Sequence, residues 1–175
     1  MPERTLTSRR VFDGKIFNVD RLEVEIEPGV RSVRDVVRHG GAIAALARLP
    51  DGRFVFVRQY RKAVERELLE AVAGGLNKDE LPEDGAIREI REETGYEVLS
   101  LRKLGAIYST PGFTDEILHL YLAELPAVPL GQQTEHDERI GVEILSREEF
   151  ETSILHGDIQ DAKTLAAWLI FLRRP

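Results

Sequence analysis

The feature that most constrains this chain of 175 residues is a run of fixed Gly, Glu and Arg positions near its middle. The run begins with Gly74, continues with Glu80, and ends with the letters REIREETGY from Arg88 to Tyr96. With average residue usage, seven such positions coincide by chance in roughly one chain of this length in a million. The segment must therefore meet a specific structural or chemical requirement.

Local signals predict that the second half of this run is one helix over residues 82–94. Pro82 suits the first turn, and acidic residues follow it at the positive end of the helix dipole. Gly95 is placed to end the helix. On such a helix three glutamates share an arc of about 100°; they are Glu89, Glu92 and Glu93.

The three glutamates need a positive partner. Like charges at this spacing destabilise a helix by about 0.2–0.5 kcal/mol per pair, and only Arg88 is placed to offset any of it. A hard divalent cation would neutralise them, because Mg²⁺ prefers oxygen ligands and is commonly shared between carboxylates and substrate phosphates. A solvated acidic helix face is the alternative, and the fixed spacing of the run argues against it. We therefore predict Mg²⁺ as cofactor, with Mn²⁺ as the alternative.

The run resembles the signature of the Nudix hydrolases, GX5EX7REUXEEXGU, where U is aliphatic or aromatic, and it fills every specified position. The resemblance implies an α/β fold, namely a Nudix-type α/β/α sandwich with a mixed sheet. It also implies hydrolysis of a nucleoside diphosphate linked to a further group, with Glu92 and Glu93 at the catalytic centre.

Paired glycines precede the predicted helix, at the end of an extended stretch over residues 67–75. Gly74 and Gly75 let the backbone turn sharply and approach a ligand closely, which would free the Ala73 carbonyl to face a metal. The resemblance implies the same role, because the matching carbonyl is a metal ligand in the ADP-ribose pyrophosphatase branch of the family. That branch often has Pro where this chain has Val72.

A second stretch resembles the same branch. Residues 109–116 read STPGFTDE, and Pro111 stands 16 residues after Gly95. Taken alone, the letters TPGF predict a turn in which Gly112 supplies a positive φ. By resemblance, Gly112 and Glu116 lie on the substrate side of the site, and ADP-ribose is cleaved to AMP and ribose 5-phosphate. A GDP- or UDP-linked sugar remains the alternative substrate, since no residue that recognises the base can be identified.

A late acidic loop, residues 135–138, completes the predicted site. The resemblance aligns it with a family loop in which one carboxylate is the general base and another joins the metal ligands. Glu138 then takes the metal position, and His136 stands where the base would be. Glu135 could serve as the base after a one-residue shift, or His136, with an ordinary pKa of about 6.5, could do so itself. A solvated loop is the alternative for Glu135.

Two arginines are candidates for binding the substrate phosphates. Arg61 follows the apolar run at residues 54–57, and Arg34 lies in the N-terminal region. A solvated strand end is the alternative for Arg61. The resemblance further implies a homodimer in which the N-terminal strands of one subunit help to form the site of the other.

Sequence patterns divide the chain at residue 40. Alternation in 17–27 and 31–38 predicts a hairpin, so residues 1–40 are interpreted as a small N-terminal β-strand appendage and dimerisation element. Residues 41–175 are interpreted as the Nudix hydrolase domain. Further strands are predicted at 42–47, 53–58, 104–108, 117–122 and 140–144, and further helices after Ser146 and Asp161. In the last helix a core-packing stripe is predicted: Leu165, Trp168, Leu169 and Leu172.

Composition limits the partners. The net charge of −7 argues against nucleic acid, because nucleic-acid binding usually shows as a basic face. No apolar run is long enough to span a membrane, and residues 1–10 are too polar for a signal peptide. Because the chain has no cysteine, disulfides and thiolate metal sites are excluded. We expect a cytoplasmic protein whose partner is a small nucleoside diphosphate sugar.

A non-catalytic, nucleotide-sensing Nudix domain is the alternative from another class. Such domains commonly lose carboxylates of the signature or carry a DNA-binding appendage, and neither feature is found in this sequence. The sequence therefore favours an enzyme.

Overall fold

The structure is a computed structural model that describes residues 3–132 and 140–173. The chain forms two compact units. The first unit contains Met1–Gly41 and Tyr108–Ile117, and the second contains Ala42–Ile107 and Leu118–Pro175. The predicted boundary at residue 40 is close to the first division. The sequence patterns did not indicate that a later segment joins the N-terminal residues.

The first unit is built on an antiparallel sheet of three strands in the order β1, β2, β3. These are β1 (Arg4–Asp13), β2 (Phe17–Glu27) and β3 (Val30–His39). The predicted hairpin corresponds to β2 and β3, and Gly29 supplies the positive φ of 83° in its turn. Strand β1 was not predicted, because its side chains are nearly all exposed and give no alternation.

The second sheet has seven strands and is mixed, as predicted. Strand β4 lies parallel to β9 and antiparallel to β5 and β7. The order is β10, β5, β4, β9, β8, with β6 paired to β5 and β7 paired to β4. The strands are β4 (Ala42–Arg48), β5 (Phe54–Arg61), β6 (Arg66–Glu70), β7 (Val72–Gly75), β8 (Ser100–Tyr108), β9 (Ile117–Glu124) and β10 (Ile140–Leu145). The helices are α1 (Pro82–Thr94), α2 (Arg147–His156) and α3 (Ala162–Arg173).

Helices cover both faces of this sheet. Because side chains alternate along β5, Phe54 and Phe56 face α2 and α3, whereas Val55 and Val57 face α1. The α2 and α3 side is rich in aromatic rings, and Phe56 stacks on Phe150 with ring centroids 4.1 Å apart. On the opposite face, Ala86 and Ile90 of α1 pack with Val55 and Val57, and this contact holds α1 and its glutamates against the sheet.

Helix α1 begins and ends at the predicted residues. Pro82 stands in its first turn, and Gly95 ends it in the left-handed conformation, with its N–H donating to the Arg91 carbonyl. The predicted cap of α2 is also present, since Ser146 and Glu149 form a reciprocal capping box.

Helix α3 differs from prediction in which side chains it buries. Asp161 accepts a hydrogen bond from the Thr164 N–H at 3.0 Å, as expected of a cap. Trp168 is buried, but Leu169 is 58% exposed, so the prediction of core packing was wrong for Leu169. The buried side of α3 instead includes Thr164 and Ala167. Among the described residues, no helix is both long and apolar enough to cross a membrane.

Candidate active site

A clamp between Glu80 and Arg88 ties the loop before α1 onto the helix. Arg88 donates from Nε to Glu80 Oε1 at 2.8 Å and from Nη2 to Glu80 Oε2 at 2.9 Å. The loop adds the Asn77 N–H, which donates to Glu80 at 2.8 Å. Arg88 also donates to the Gly75 carbonyl at 3.0 Å. The hydrogen bonds from Arg88 and Asn77 lower the pKa of Glu80 to about 2.

Gly74 lies directly against the carboxylate of Glu89. A Cβ atom at residue 74 would collide with the Glu89 carboxylate, so only glycine fits here without movement. Neither Gly74 nor Gly75 makes the predicted sharp turn. Both pair with β4, opposite Ile43 and Ala42, and extend the sheet. The sequence predicted that a ligand would approach the glycine backbone closely. In the structure, the Glu89 carboxylate of α1 lies at that position.

The three glutamates of α1 have different environments. Glu93 is 3% exposed, and its Oε2 accepts a hydrogen bond from the Ala73 N–H at 3.3 Å. Glu89 and Glu92 both accept from Arg88 Nη1, at 2.6 and 3.0 Å. The structure therefore brings Ala73, Glu89 and Glu93 together at β7, and Arg88 offsets part of the negative charge as its spacing predicted.

The donors at β7 are of the kind a hard cation prefers. Mg²⁺ binds oxygen ligands, and the carboxylates beside β7 supply them. Gly74 has no side chain that would block the approach of the Glu89 carboxylate. Within residues 3–132 and 140–173, no three His, Cys, Asp or Glu side chains form a group that could hold a metal ion. The predicted ligand Glu138 lies outside the described residues, as do the predicted bases Glu135 and His136.

The residues just before this predicted loop contact the end of α1. The Gln132 amide donates to the Glu93 carbonyl at 2.5 Å and to the Ile140 carbonyl at 3.4 Å. The Leu130 N–H donates to the Gly95 carbonyl at 2.7 Å. The Gln132 side chain therefore links the last turn of α1 to the first residue of β10.

Arg61, a predicted phosphate ligand, forms a two-pronged ion pair with Glu70. Its Nε and Nη2 atoms donate to the two Glu70 oxygens at 2.8 and 2.7 Å. Glu70 was not predicted as a site residue, although the sequence carries a signal for it. A single acid in the apolar letters LLEAVA needs a cation nearby once the strand is buried.

The remaining predicted residues, Arg34, Gly112 and Glu116, belong to the first unit. Arg34 pairs with Glu3 at 2.6 Å and donates to the Ser32 hydroxyl at 2.8 Å. Gly112 lies in the turn after Thr110, but without the predicted positive φ. The turn needs no left-handed residue there, because the Phe113 and Thr114 N–H groups both donate to the Thr110 carbonyl.

Glu116 has a neighbour that sequence reasoning missed. Its Oε1 atom lies 3.6 Å from Nδ1 of His39, the last residue of β3. That Nδ1 atom accepts a hydrogen bond from the Gly41 N–H at 3.1 Å, which places the proton of a neutral His39 on Nε2. No sequence signal joins residues 39 and 116, because their proximity arises from the tertiary structure of the first unit.

Comparison with known proteins identifies the family of the chain. The model of the NUDIX domain matches residues 38–169, and the chain belongs to the NUDIX family. It is 38% identical over 168 residues to the ADP-ribose pyrophosphatase of Bacillus subtilis (strain 168), with 95% of this chain and 91% of the relative covered.

Two other relatives have different names. The methanol dehydrogenase activator of Bacillus methanolicus is 37% identical over 94% of this chain and 90% of its own length. The GDP-mannose pyrophosphatase of Yersinia enterocolitica is 36% identical over 78% of this chain and 75% of its own length. The crystal structure of an ADP compounds hydrolase shares the fold, with a TM-score of 0.84 at 20% identity, covering 99% of this chain and 94% of that one.

Proposed function

We propose that the protein hydrolyses the diphosphate linkage of ADP-ribose, or of a closely related nucleoside diphosphate sugar, in a reaction that depends on Mg²⁺. The products from ADP-ribose are AMP and ribose 5-phosphate. The observation that carries the proposal is the meeting of Ala73, Glu89 and Glu93 at the glycine strand β7. The relationship to an ADP-ribose pyrophosphatase along nearly the whole chain supports the choice of substrate.

The metal ligands in this proposal are one backbone carbonyl and four carboxylates. When bound, Mg²⁺ neutralises phosphate charge and lowers the pKa of a bound water. Mn²⁺ is the alternative ion, since it also accepts oxygen ligands. The ligands are the Ala73 carbonyl, Glu89, Glu92, Glu93 and Glu138.

Other side chains bind the substrate and move the proton. Arg61 and Arg34 hold phosphate oxygens, because a guanidinium matches the geometry of two oxygens at once. Gly112 and Glu116 contact the substrate. Glu135 or His136 takes the proton from the attacking water as general base; these two are the residues of the 135–138 loop that sequence reasoning left open.

The working form in this proposal is a cytoplasmic homodimer. Strands β1 and β3 would form the contact between subunits, because they expose apolar side chains that a partner surface could cover. These side chains include Val11, Phe12, Val30 and Val33.

Two other functions are supported by specific relatives. A GDP-linked sugar is the second candidate substrate, on the basis of the relative named GDP-mannose pyrophosphatase. A regulatory protein that binds a nucleotide without turning it over is the candidate from another class, because one relative is named for activating another enzyme. The intact carboxylates of α1 favour catalysis over this alternative.

A hydrolysis screen tests the proposal. The purified protein is mixed with Mg²⁺ and ADP-ribose, GDP-mannose, a UDP-hexose or a dinucleoside polyphosphate, and the products are separated and identified. We expect ADP-ribose to be cleaved with the highest kcat/KM, yielding AMP and ribose 5-phosphate. If GDP-mannose is preferred, the second substrate is correct, and if no substrate is cleaved, the catalytic assignment is wrong.

The matched variants in this screen are Glu93→Gln and Glu97→Gln. Glu93→Gln removes a charge from the proposed metal ligands and should lower kcat by more than about 10-fold. Glu97 lies just beyond α1 and pairs with Arg91 at 2.5 Å, so Glu97→Gln should leave kcat unchanged. Equal kcat in the two variants would reject Glu93 as a ligand.

A further inference from the structure

Glu70 is the most buried charged side chain in the described part of the chain, and the proposed reaction does not use it. It ends β6 with 1% of its surface exposed. Burial raises the pKa of Glu70, but hydrogen bonds from Arg61 and the charge of Lys163 outweigh it and lower the pKa. A buried carboxylate held ionised by two cations needs a structural or functional reason.

The strand register shows how Arg61 reaches Glu70. In the pairing of β5 with β6, Glu70 lies opposite Val57, whereas Arg61 lies opposite Arg66. At 3.3 Å per residue, the position opposite Glu70 and the position of Arg61 are roughly 13 Å apart along β5, because four residues separate Val57 from Arg61. The Arg61 side chain therefore extends back along the sheet, and the two-pronged ion pair fixes the plane of its guanidinium.

The first turn of α3 supports Glu70 from the other side. Lys163 Nζ donates to Glu70 Oε2 and, at 3.0 Å, to Asp161. The Thr164 hydroxyl accepts a hydrogen bond from the Ala71 N–H at 2.8 Å. Glu70 and the residue after it are thus both anchored to α3, on the segment that continues to Ala73.

Arg61 lies within electrostatic reach of the catalytic helix. The pKa of Arg61 is raised mainly by Glu70, and the negative charge of Glu93 on α1 also contributes. Glu70 uses two of the five N–H groups of the guanidinium, and three are not involved in this pair.

We propose that Glu70 is a positioning residue that holds the Arg61 guanidinium ready for the substrate diphosphate, with the half-buried Lys163 as its counter-charge. The inference rests on the proposed function for the role of Arg61. An arginine ordered before binding loses less conformational freedom when the phosphates arrive, so the paired Glu70 increases affinity.

A competing effect predicts the opposite result. The Glu70 charge also offsets the positive charge of Arg61, and its removal alone would strengthen the attraction for phosphate. Because Lys163 already balances this carboxylate, we expect the ordering of Arg61 to outweigh the change in charge. Weaker phosphate binding in a variant without the Glu70 charge would therefore support the ordering of Arg61, and stronger binding would support the change in charge.

The test measures the dissociation constant of ADP by calorimetry in Mg²⁺ buffer. The proteins are wild type, Glu70→Gln, Arg61→Ala, the double variant, and Glu67→Gln as the exposed control on the same strand. We expect Glu70→Gln to weaken binding about 10-fold, as for the loss of one well-placed hydrogen-bonded charge. Glu67→Gln should bind like wild type, and the double variant should bind no more weakly than Arg61→Ala.

The last comparison separates positioning from a general structural role. If Glu70→Gln weakens binding equally with and without Arg61, or if it binds ADP as tightly as wild type or more tightly, the proposal is overturned. Failure of the wild type to bind ADP also overturns it. A different result is that the wild type binds ADP through Arg61 but cleaves no substrate in the hydrolysis screen. This result would refute the proposed function, but Glu70 would still be the residue that positions Arg61.

Melting curves establish that each variant is folded. If Glu70→Gln does not fold, Arg61→Lys tests whether the orientation of the guanidinium matters, because lysine keeps the charge but cannot form the two-pronged pair. We then expect Arg61→Lys to weaken ADP binding about 10-fold. Affinity equal to wild type in this variant would show that the orientation of the guanidinium is unimportant.

Discussion

At the scale of single residues, the site depends on a missing side chain. Gly74 is extended, so its backbone conformation is open to any residue, and the atoms nearest to an added Cβ all belong to the Glu89 carboxylate. The neighbouring Gly75 has open space where its Cβ would stand. Two adjacent glycines of one strand therefore have different reasons for being there, which the sequence did not reveal.

We predict that Gly74→Ala lowers kcat/KM by more than about 10-fold, because the new Cβ displaces Glu89 from the position proposed for a metal ligand. Gly75→Ala is the control, and it should leave kcat/KM unchanged and slightly stabilise the strand. Steady-state kinetics with ADP-ribose and a melting curve for each variant are the measurements. Similar activity in the two variants would show that Glu89 can move without cost.

At the scale of elements, α1 was predictable because its signals are local. Pro82 and Gly95 specify its ends, and the spacing of its glutamates specifies their shared face. Strand β1 could not be predicted, since an exposed strand carries no period-two pattern. Glu70 and His39 were missed for a related reason. Their partners lie 9 and 77 residues away in the chain, and only the tertiary structure brings them together.

The clamp between Glu80 and Arg88 should make stability depend on pH. The folded-state pKa of Glu80 is lowered from 4.5 to about 2, so its contribution is complete above pH 4.5 and is lost as the pH falls through 2. We predict that Glu80→Gln removes about 1–2 kcal/mol of this acid-sensitive stability, after allowance for screening by solvent. Urea unfolding at several pH values between 2 and 6 measures it.

The control for this experiment is Glu148→Gln, an exposed change on α2. It should leave the pH dependence of the unfolding free energy as in wild type. Parallel curves for wild type and Glu80→Gln would contradict the prediction, because the stabilising charge of Glu80 would then be absent.

At the scale of the whole molecule, the resemblance to the Nudix hydrolases predicted the mixed sheet between helical layers, and the interleaving of predicted strands and helices is consistent with it. Within the site, Glu93 lies beside Ala73, and Arg88 donates to both Glu89 and Glu92, as the spacing of Arg88 predicted. The role of these glutamates as metal ligands stays a prediction.

The assignments of Arg34, Gly112 and Glu116 to the substrate also remain predictions. Those of Gly112 and Glu116 came from resemblance, and that of Arg34 came from the fit of a guanidinium to phosphate oxygens. Neither source gives information on which contacts these residues make.

We predict that Mg²⁺ raises the melting temperature, because a ligand that binds only the folded state stabilises it. At ten times its dissociation constant the gain is about 1.4 kcal/mol, or roughly 3–6 °C for a chain of this size. Glu92→Gln should reduce the shift, whereas an equal concentration of K⁺ should produce none. A melting temperature that does not respond to Mg²⁺ would argue against a metal site on α1.

The hydrogen bonds of Gln132 affect how the connection between β9 and β10 can vary. Its amide donates to both the Glu93 and the Ile140 carbonyls, so one side chain links the end of helix α1 to the start of β10. Replacing a segment whose ends already meet adds little loop-closure entropy, even when its length changes. The connection between Gln132 and Ile140 can therefore change in length at little thermodynamic cost while the sheet and helix α1 stay the same.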